Sequence, residues 1–243
     1  MNLKLNKLKK TYSGKTVLDD INLELADVTV VALIGASGSG KSTLLRQMAG
    51  LETFDSGQIE VNGHIVDAST DEAYRKRIGF VFQDHNLFPH LSVLENILLV
   101  LEKVHGRKRA EVMPEVMALL EQFGLLEHAE KKPHQISGGQ GQRVSIVRAL
   151  SIKPDLILLD EPTSSLDPIL THEVLYAIKL LVEDRIDFVI VTHEIGFARE
   201  VADYIVFMDE GKIIEHGTPD ILENPESDKL KRFLEKVLSF KKT

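Results

Sequence analysis

A nine-residue glycine-rich stretch constrains the fold of this chain more than any other part of the sequence. It comprises Gly35, Ala36, Ser37, Gly38, Ser39, Gly40, Lys41, Ser42 and Thr43, with the spacing G-x-x-x-x-G-K-S. The apolar run at 28–34 before it is typical of a buried strand, and the run at 44–48 after it is typical of a helix. A strand, a glycine loop and a helix N-terminus in this order are the context of a phosphate-binding loop. The stretch therefore predicts a phosphate site where the loop enters the helix.

The residue types in this loop suit phosphate chemistry. Glycines let the backbone wrap closely and aim N–H groups at phosphate oxygens, and the helix dipole adds positive potential there. We expect Lys41 to bridge the terminal phosphates as a point charge and the hydroxyl of Ser42 to hold Mg²⁺. The alternative is a glycine-rich turn without a ligand, which the full spacing and both flanks disfavour.

The composition is that of a globular protein and narrows the choice of partners. The chain has 243 residues, of which 43% are hydrophobic, and a formal net charge of −8. This charge argues against a nucleic-acid partner, because phosphate backbones bind basic surfaces. No apolar run reaches the ~18 residues of a membrane-spanning helix, and the first residues lack the apolar core of a secretory signal. The lack of cysteine excludes disulfides and thiolate metal sites. A cytoplasmic location fits these features.

Two adjacent acids follow the aliphatic run at 156–159. Such a run is typical of a parallel strand buried on both faces, and Asp160 and Glu161 stand at its C-terminal end. Open α/β sheets bind their ligands at that edge. We expect Asp160 to support Mg²⁺ and Glu161 to polarise an attacking water. Simple solvation of two loop acids is the alternative.

A second glycine-rich helix start lies far along the chain from the first. It reads Ser137, Gly138, Gly139 and Gln140, followed by an apolar helical pattern. A serine and two glycines at a helix start form another N-terminus that is suited to anions. A capped helix with a flexible entry is the alternative interpretation.

Four further residues are candidates on position alone. Tyr12 lies upstream of the glycine loop, where an aromatic ring can stack on a base, although an ordinary strand tyrosine is the simpler interpretation. Gln83 and His193 each end an apolar strand pattern, and by chemistry alone each has a structural alternative. Asp167 precedes Pro168 as the N-cap of a helix.

The chain changes from strand patterns to helical patterns near Ser92. Its start alternates as half-buried antiparallel strands do, at Leu3, Leu5, Leu8, Ile21, Leu23 and Leu25. Ser92 and Glu95 form a capping-box pattern, and Pro114 suits the first turn of a following helix. The pattern at 230–238 predicts a closing amphipathic helix. We predict a helical subdomain at about 84–150, inserted in a core formed by 1–83 and 151–243.

In this order the motifs resemble, over the whole chain, the nucleotide-binding subunit of an ATP-binding cassette (ABC) transporter. The matching motifs are Walker A at 35–43, the Q-loop Gln83, the signature at 137–140, the Walker B Asp160 with the catalytic Glu161, the D-loop at 164–167, the switch His193 and the adenine-stacking Tyr12. Two residues depart from the family pattern. Gly141 stands where glutamine usually follows the signature, and Ser165 stands where alanine is commoner in the D-loop. Neither departure removes a group that the mechanism needs.

The resemblance implies a fold and a mechanism. The fold is an α/β P-loop NTPase core with a mixed, mainly parallel sheet, an N-terminal antiparallel β subdomain and an inserted α-helical subdomain. Two copies form a head-to-tail homodimer, and each ATP, with its Mg²⁺, lies between Walker A of one copy and the signature of the other. Glu161 orients the attacking water, His193 stabilises the γ-phosphate, and Gln83 joins Ser42 and Asp160 at the metal. Gln83 and residues 84–91 couple hydrolysis to the membrane permease subunits.

The subclass that the chain resembles is that of the bacterial polar amino acid importers. The pattern at 192–203 and the tail at 214–219 resemble glutamine, histidine and arginine systems. This implies a peripheral subunit on the cytoplasmic face of the inner membrane, soluble when isolated, with permease partners and an indirect solute-binding partner. One alternative is an ABC ATPase of the cell-division or lipoprotein-release type. A second is a P-loop small-molecule kinase, which needs no signature motif.

Overall fold

The computed structural model describes residues 1–67, 72–164, 166–184 and 186–239. Ser165, one of the two departures from the family pattern, lies outside the described residues. Within the described ranges, no helix is both long enough and apolar enough to cross a membrane.

The described residues form strands and helices along the whole chain. The strands are β1 (Leu3–Tyr12), β2 (Lys15–Leu25), β3 (Val30–Ile34), β4 (Ser56–Val61), β5 (His64–Val66), β6 (Ile78–Val81), β7 (Leu156–Asp160), β8 (Phe188–Val191), β9 (Tyr204–Asp209) and β10 (Lys212–Gly217). The α-helices are α1 (Lys41–Met48), α2 (Glu72–Arg75), α3 (Val93–Leu99), α4 (Arg109–Gln122), α5 (Gly138–Ser151), α6 (Pro168–Glu183), α7 (Ile195–Val201) and α8 (Asp228–Ser239). Short 3₁₀ turns occur at Leu126–His128, Pro133–Gln135 and Pro219–Leu222, and a π-helical turn at Val100–Val104.

The chain forms two compact units. The first contains the described residues of Met1–Tyr74 and Asp187–Thr243, and the second contains those of Arg75–Ile186. The helical subdomain predicted at about 84–150 lies within the range of the second unit, and its boundaries stay a prediction.

The first unit contains two sets of strands. β2, β1, β4 and β5 pair in this order as an antiparallel sheet. The inward leucines and isoleucines of β1 and β2 are buried, and this confirms the predicted alternation. β3 pairs in parallel with both β8 and β9, and β9 continues antiparallel into β10. Every residue of β3 is buried because neighbouring strands flank it on both sides.

The second unit combines a parallel strand pair with helices. β6 pairs with β7, and all five residues of β7 are buried, as the aliphatic run predicted. α3, α4 and α5 pack together through buried apolar side chains, among them Leu98, Val116 and Val147. The strands of the two units together are therefore mainly parallel outside the antiparallel sheet, and the predicted α/β class is confirmed.

Several local predictions are confirmed at helix ends. The hydroxyl of Ser92 accepts a hydrogen bond from the Glu95 N–H at 3.2 Å and caps α3. α8 buries Leu230 and Leu234, as its amphipathic pattern predicted. The prediction for Pro114 is wrong, since α4 begins at Arg109 and Pro114 lies inside the helix, past its first turn. Arg109, Ala110 and Glu111 are good helix formers, and they extend the helix backwards from Val112.

Candidate functional site

The glycine loop lies between β3 and α1, as the motif predicted. Gly35, Gly38 and Gly40 all have positive φ, at +146°, +79° and +100°. A Cβ on Gly35 would lie 2.1 Å from the carbonyl oxygen of Met208, and one on Gly40 would lie 2.7 Å from that of Val17. A Cβ on Gly38 would meet nothing within 4 Å. Gly35 and Gly40 therefore permit close packing of the loop, whereas Gly38 is required for its conformation alone.

Lys41 lies inside the loop and not on the surface. Its side chain is 3% exposed, and its Nζ donates hydrogen bonds to the carbonyl oxygens of Gly35 and Ala36, both at 2.9 Å. The loop residues around it, Ala36, Ser37 and Gly38, are exposed. The loop thus places a buried cation directly beneath an exposed rim, as expected for a site that receives an anion.

The start of α1 continues this site. Ser42 and Thr43 are half-buried in the first turn, which contains no acidic residue. Gly40 is the N-cap and has no side chain with which to cap the helix. The positive end of the helix dipole is therefore next to Lys41, and the first turn of α1 adds no negative charge to it.

His193 reaches the same edge of the first unit as the glycine loop. β3 and β8 run in parallel, with Leu33 paired to Val191. Gly35 and His193 each follow their paired residue by two positions, so both emerge at the C-terminal edge of these strands. The Thr192 N–H donates to the Leu33 carbonyl at 3.2 Å, which keeps the segment before His193 on β3. His193 is half-buried there.

Tyr12 ends β1 with 38% of its side chain exposed. The ammonium of Lys10 lies 4.8 Å from the centre of the tyrosine ring, within the range of a cation–π contact. Asp55 approaches Lys10 at 4.0 Å and accepts a hydrogen bond from the Thr11 N–H at 2.7 Å. The ammonium of Lys10 therefore covers one face of the Tyr12 ring, and the exposed part of the ring can still receive a base.

The second unit places Gln83, Asp160 and Glu161 at one strand edge. Val81 of β6 pairs with Leu159 of β7, so Gln83 and Glu161 each follow a paired residue by two positions. Asp160 is 0% exposed, Glu161 is half-buried and Gln83 is exposed. Carboxylate and amide oxygens thus share the C-terminal edge of this pair, where the sequence predicted the two acids.

The backbone of Glu161 adopts an unusual conformation. Its φ is +45°, in the left-handed region that non-glycine residues rarely occupy. The Glu161 carbonyl accepts hydrogen bonds from the N–H and the hydroxyl of Ser164, at 3.2 and 3.1 Å. The following turn therefore holds the residue in this conformation, and strain of this kind is typical of functional sites.

The second glycine-rich stretch forms the capped start of α5. The Ser137 hydroxyl accepts from the Gln140 N–H at 3.2 Å, and the Gln140 side-chain oxygen accepts from the Ser137 N–H at 2.9 Å. The Gln140 amide nitrogen also lies 3.0 Å from His128 Nε2. A Cβ on Gly138 or on Gly139 would lie 3.1 Å from a leucine side chain, so both glycines are closely packed. Ser137 is exposed, and the first turn of α5 contains no acid.

Asp167 is an N-cap, as predicted. Its Oδ1 accepts hydrogen bonds from the N–H groups of Ile169 and Leu170 at 2.9 and 3.0 Å, and Pro168 is the first helical residue of α6. These contacts show its structural role. The role of Asp167 towards a nucleotide stays a prediction.

Three residues that contact these candidates were not predicted from the sequence. They are Lys10 at Tyr12, His128 at Gln140, and His85, which packs on Gly141. Lys10 and Tyr12 lie two positions apart in β1, whereas the other two contacts join different segments of the chain. No motif spacing marks any of the three. Among the described residues, no cluster of three or more His, Asp or Glu side chains is suited to hold a metal ion on its own.

Together, the fold and the glycine loop define a P-loop nucleotide-binding protein. Residues 18–164 match the family model described as ABC transporter. The chain therefore belongs to the ABC transporter family, which confirms the resemblance drawn from the motifs.

Characterised relatives and solved structures agree with this assignment. The chain is 47% identical to the glutamate/aspartate import ATP-binding protein GltL of Escherichia coli K12, over 96% of this chain and 98% of the relative. It is 45% identical to the glutamine transport ATP-binding protein GlnQ of Bacillus subtilis, over 96% and 97%. The ATP-binding cassette MJ0796, solved as a dimer in a post-hydrolysis state with ADP and Pi, superposes with a TM-score of 0.79 at 34% identity, over 89% and 98%.

Proposed function

We propose that this chain is the ATP-hydrolysing subunit of an ABC importer for a polar amino acid. The buried ammonium of Lys41 beneath the exposed loop rim is the observation that carries the nucleotide site. The import function is supported by relatives named for the transport of glutamate and aspartate, glutamine and arginine. The alternative of cell division or lipoprotein release has no such support, and the match to ABC cassettes disfavours a small-molecule kinase.

ATP occupies the loop at 35–43 in this proposal. Lys41 binds the terminal phosphates, and the loop amides with the start of α1 bind the remaining phosphate oxygens. Tyr12 stacks on the adenine through the ring face that Lys10 leaves open. The base and the phosphates are thus bound by different parts of the first unit.

The oxygen donors proposed for Mg²⁺ fit that ion. They are the hydroxyl of Ser42, the amide of Gln83 and the carboxylate of Asp160, and Mg²⁺ prefers oxygen ligands together with substrate phosphates. This also explains why no all-protein metal cluster is needed. When bound, Mg²⁺ neutralises charge on the phosphates.

Glu161 is the proposed base that orients water for attack on the γ-phosphate. Its left-handed backbone directs the residue away from the regular path of β7. His193 stabilises the charge that develops on the γ-phosphate, and its place at the strand edge of Gly35 supports this role. Hydrolysis then releases ADP and phosphate.

A head-to-tail homodimer explains the exposed start of α5. In this dimer Ser137, Gly138, Gly139 and Gln140 of one copy meet the phosphates held by the loop of the other. The absence of an acid from the first turn of α5 supports an anionic partner. The dimeric state of the MJ0796 cassette supports a dimer of this chain as well. In the proposed arrangement Asp167 of the D-loop is near the contact.

Transport requires partners in the membrane. We propose that Gln83 and residues 84–91 contact permease subunits, and that a solute-binding protein delivers the amino acid to them. The chain is then a peripheral protein on the cytoplasmic face of the bacterial inner membrane. A nucleic acid is not among the proposed partners, because the net charge is −8.

The first experiment is a pull-down of the tagged chain from its native membrane, followed by identification of the co-purifying proteins. A permease together with an amino-acid-binding protein would support the importer. A membrane partner without any solute-binding protein would contradict the importer and favour an ABC ATPase of the cell-division or lipoprotein-release type. ATP turnover by the purified chain, lost on Ser137→Ala, separately tests the ATPase against the kinase alternative.

A further inference from the structure

The imidazole of His85 fills the space above Gly141. A Cβ on Gly141 would lie 2.4 Å from His85 Cδ2 and 3.1 Å from its Nε2, and contacts of 2.4 Å do not occur in folded proteins. His85 Nδ1 is buried, and no hydrogen-bond partner for it is present among the described residues. The ring is therefore held by packing on the glycine and not by polar contacts of its own.

The segment around His85 is also fastened to α5 through its backbone. Three side chains along one face of α5 donate hydrogen bonds to carbonyl oxygens of the segment around His85. Gln142 donates to Phe82 at 3.2 Å, Ser145 donates to His85 at 2.6 Å, and Arg148 donates to both His85 and Asn86, at 3.2 and 2.9 Å. Because the backbone of His85 is held in this way, the segment cannot move away from Gly141 as a whole, and the contact can be relieved only by rotation of the ring.

The contact joins two parts of the candidate site within the second unit. Gln83 lies between the fastened carbonyls of Phe82 and His85. Gly141 directly follows the Ser137–Gln140 capping box, and the Gly141 N–H donates to the Ser137 carbonyl at 2.9 Å. The His85 ring is thus wedged between the Gln83 segment and the first turn of α5.

We propose that His85 is a positioning residue matched to Gly141, which sets the Gln83 segment and the start of α5 at one fixed distance. The glycine departs from the glutamine of the family pattern because the imidazole occupies the room of a side chain there. In this proposal His85 acts through its contact with Gly141. The catalytic effect rests on the proposed function, whereas the packing of the pair does not.

A substitution that adds only a methyl group tests the packing. Alanine favours a helix over glycine, so Gly141→Ala without a steric conflict would raise the midpoint of thermal unfolding. We expect instead that it lowers this midpoint by about 3 °C. In a chain that already carries His85→Ala, Gly141→Ala should no longer lower the midpoint of thermal unfolding. Gly196→Ala in α7, where a Cβ meets nothing within 4 Å, is the matched control for helix propensity.

Hydrogen exchange and kinetics test the positioning. Gly141→Ala should speed amide exchange at 83–86 and at 137–141 together, because one wedge holds both segments. It should lower kcat for ATP hydrolysis about tenfold while the Kd of ATP changes less than twofold, because the glycine loop lies in the other unit. Adding His85→Ala should recover part of the loss in kcat, because it removes the clash but also the ring that sets the distance.

The outcomes separate the two proposals. A parent chain without ATP turnover would remove the proposed function but leave the thermal and exchange tests of the pair valid. Gly141→Ala that is as stable as the parent, or a defect that His85→Ala does not relieve, would overturn the pairing. Faster exchange in only one of the two segments would also overturn it.

Discussion

The ammonium of Lys10 lies over the ring of Tyr12, 4.8 Å from its centre. Lys10 itself is nearly buried and is held near Asp55. The cation therefore covers one face of the ring permanently, and a base can stack only on the opposite face. This contact gives the candidate base platform a defined side.

Tyr12→Ala is expected to raise the Kd of ATP about tenfold, because stacking of a base on an aromatic ring contributes roughly 1–3 kcal/mol. Tyr12→Phe keeps the ring and should bind as the parent does. Isothermal titration of both variants with ATP measures the difference. Equal affinities for the parent and the alanine variant would show that Tyr12 is only a strand residue.

Lys41→Ala is expected to raise the Kd of ATP about 10- to 100-fold, since it removes a charged donor to phosphate from a buried position. Lys212→Ala is the control, because it removes a charge from an exposed ion pair with Asp19 in the same unit. Titration with a fluorescent ATP analogue gives both values. An unchanged affinity of the Lys41 variant would exclude its phosphate role.

Glu161→Gln is expected to keep ATP binding and to lower hydrolysis at least about 100-fold, as loss of a general base does. Uncleaved ATP should then hold two copies together, and light scattering after gel filtration with ATP should give the mass of a dimer. Glu121→Gln, an exposed substitution in α4, is the control. Hydrolysis near the parent rate in the Glu161 variant would assign the base elsewhere.

Gly35→Ala and Gly38→Ala test the two reasons for glycine in the loop. At Gly35 a Cβ meets the backbone oxygen of Met208 at 2.1 Å, so we expect a loss of about 2–4 kcal/mol in the free energy of unfolding. At Gly38 only the positive φ opposes alanine, and the loss should be about 1 kcal/mol. Urea unfolding ranks the variants. Similar losses would contradict the distinction between packing and conformation.

The ion pair of Glu115 predicts a pH dependence of stability. Hydrogen bonds from Arg107, at 3.1 and 3.2 Å, and an ion pair with Lys153, at 3.0 Å, lower the pKa of Glu115 from 4.5 to about 2. A lowered pKa in the folded state stabilises the fold above the unfolded pKa, and this stabilisation is lost as the pH falls from 4.5 towards 2. The effect is small because the carboxylate is 38% exposed.

The measurement for Glu115 is the thermal midpoint of Glu115→Gln and of the parent between pH 6 and pH 3. The variant should unfold at a lower temperature at pH 6, and the difference should shrink as the pH falls. Glu121→Gln in the same helix forms no ion pair with the described residues and should follow the parent throughout. A constant difference for the Glu115 variant would exclude the ion pair as its cause.

Local patterns predicted much of the fold. The strand before the glycine loop and the caps Ser92 and Asp167 all depend on residues close in sequence. Their conformations follow from neighbours a few positions away, so the sequence alone carries them. The candidate residues of the nucleotide site come from motif spacing and from the family resemblance. The family is confirmed, and the roles of the individual residues stay predictions.

The contacts between distant segments were not predictable in the same way. His85 and Gly141 are far apart in the chain, and no spacing rule marks the pair. The π-helical turn at Val100–Val104 and the start of α4 before Pro114 depend on packing that outweighs local preference. The left-handed backbone of Glu161 is set by the turn that follows it, whereas glutamate alone would favour a regular conformation.

With Glu161 as the proposed base, the left-handed backbone means that the residue best for stability differs from the residue best for ATP turnover at this position. A glycine would relieve roughly 1 kcal/mol or more of strain, and asparagine would relieve part of it. A library selected only for survival of heat should therefore accumulate glycine or asparagine at position 161. A library selected for ATP turnover should retain the glutamate. Glutamate at position 161 is therefore the residue that the proposed role in turnover requires, and not the residue that stability alone would favour.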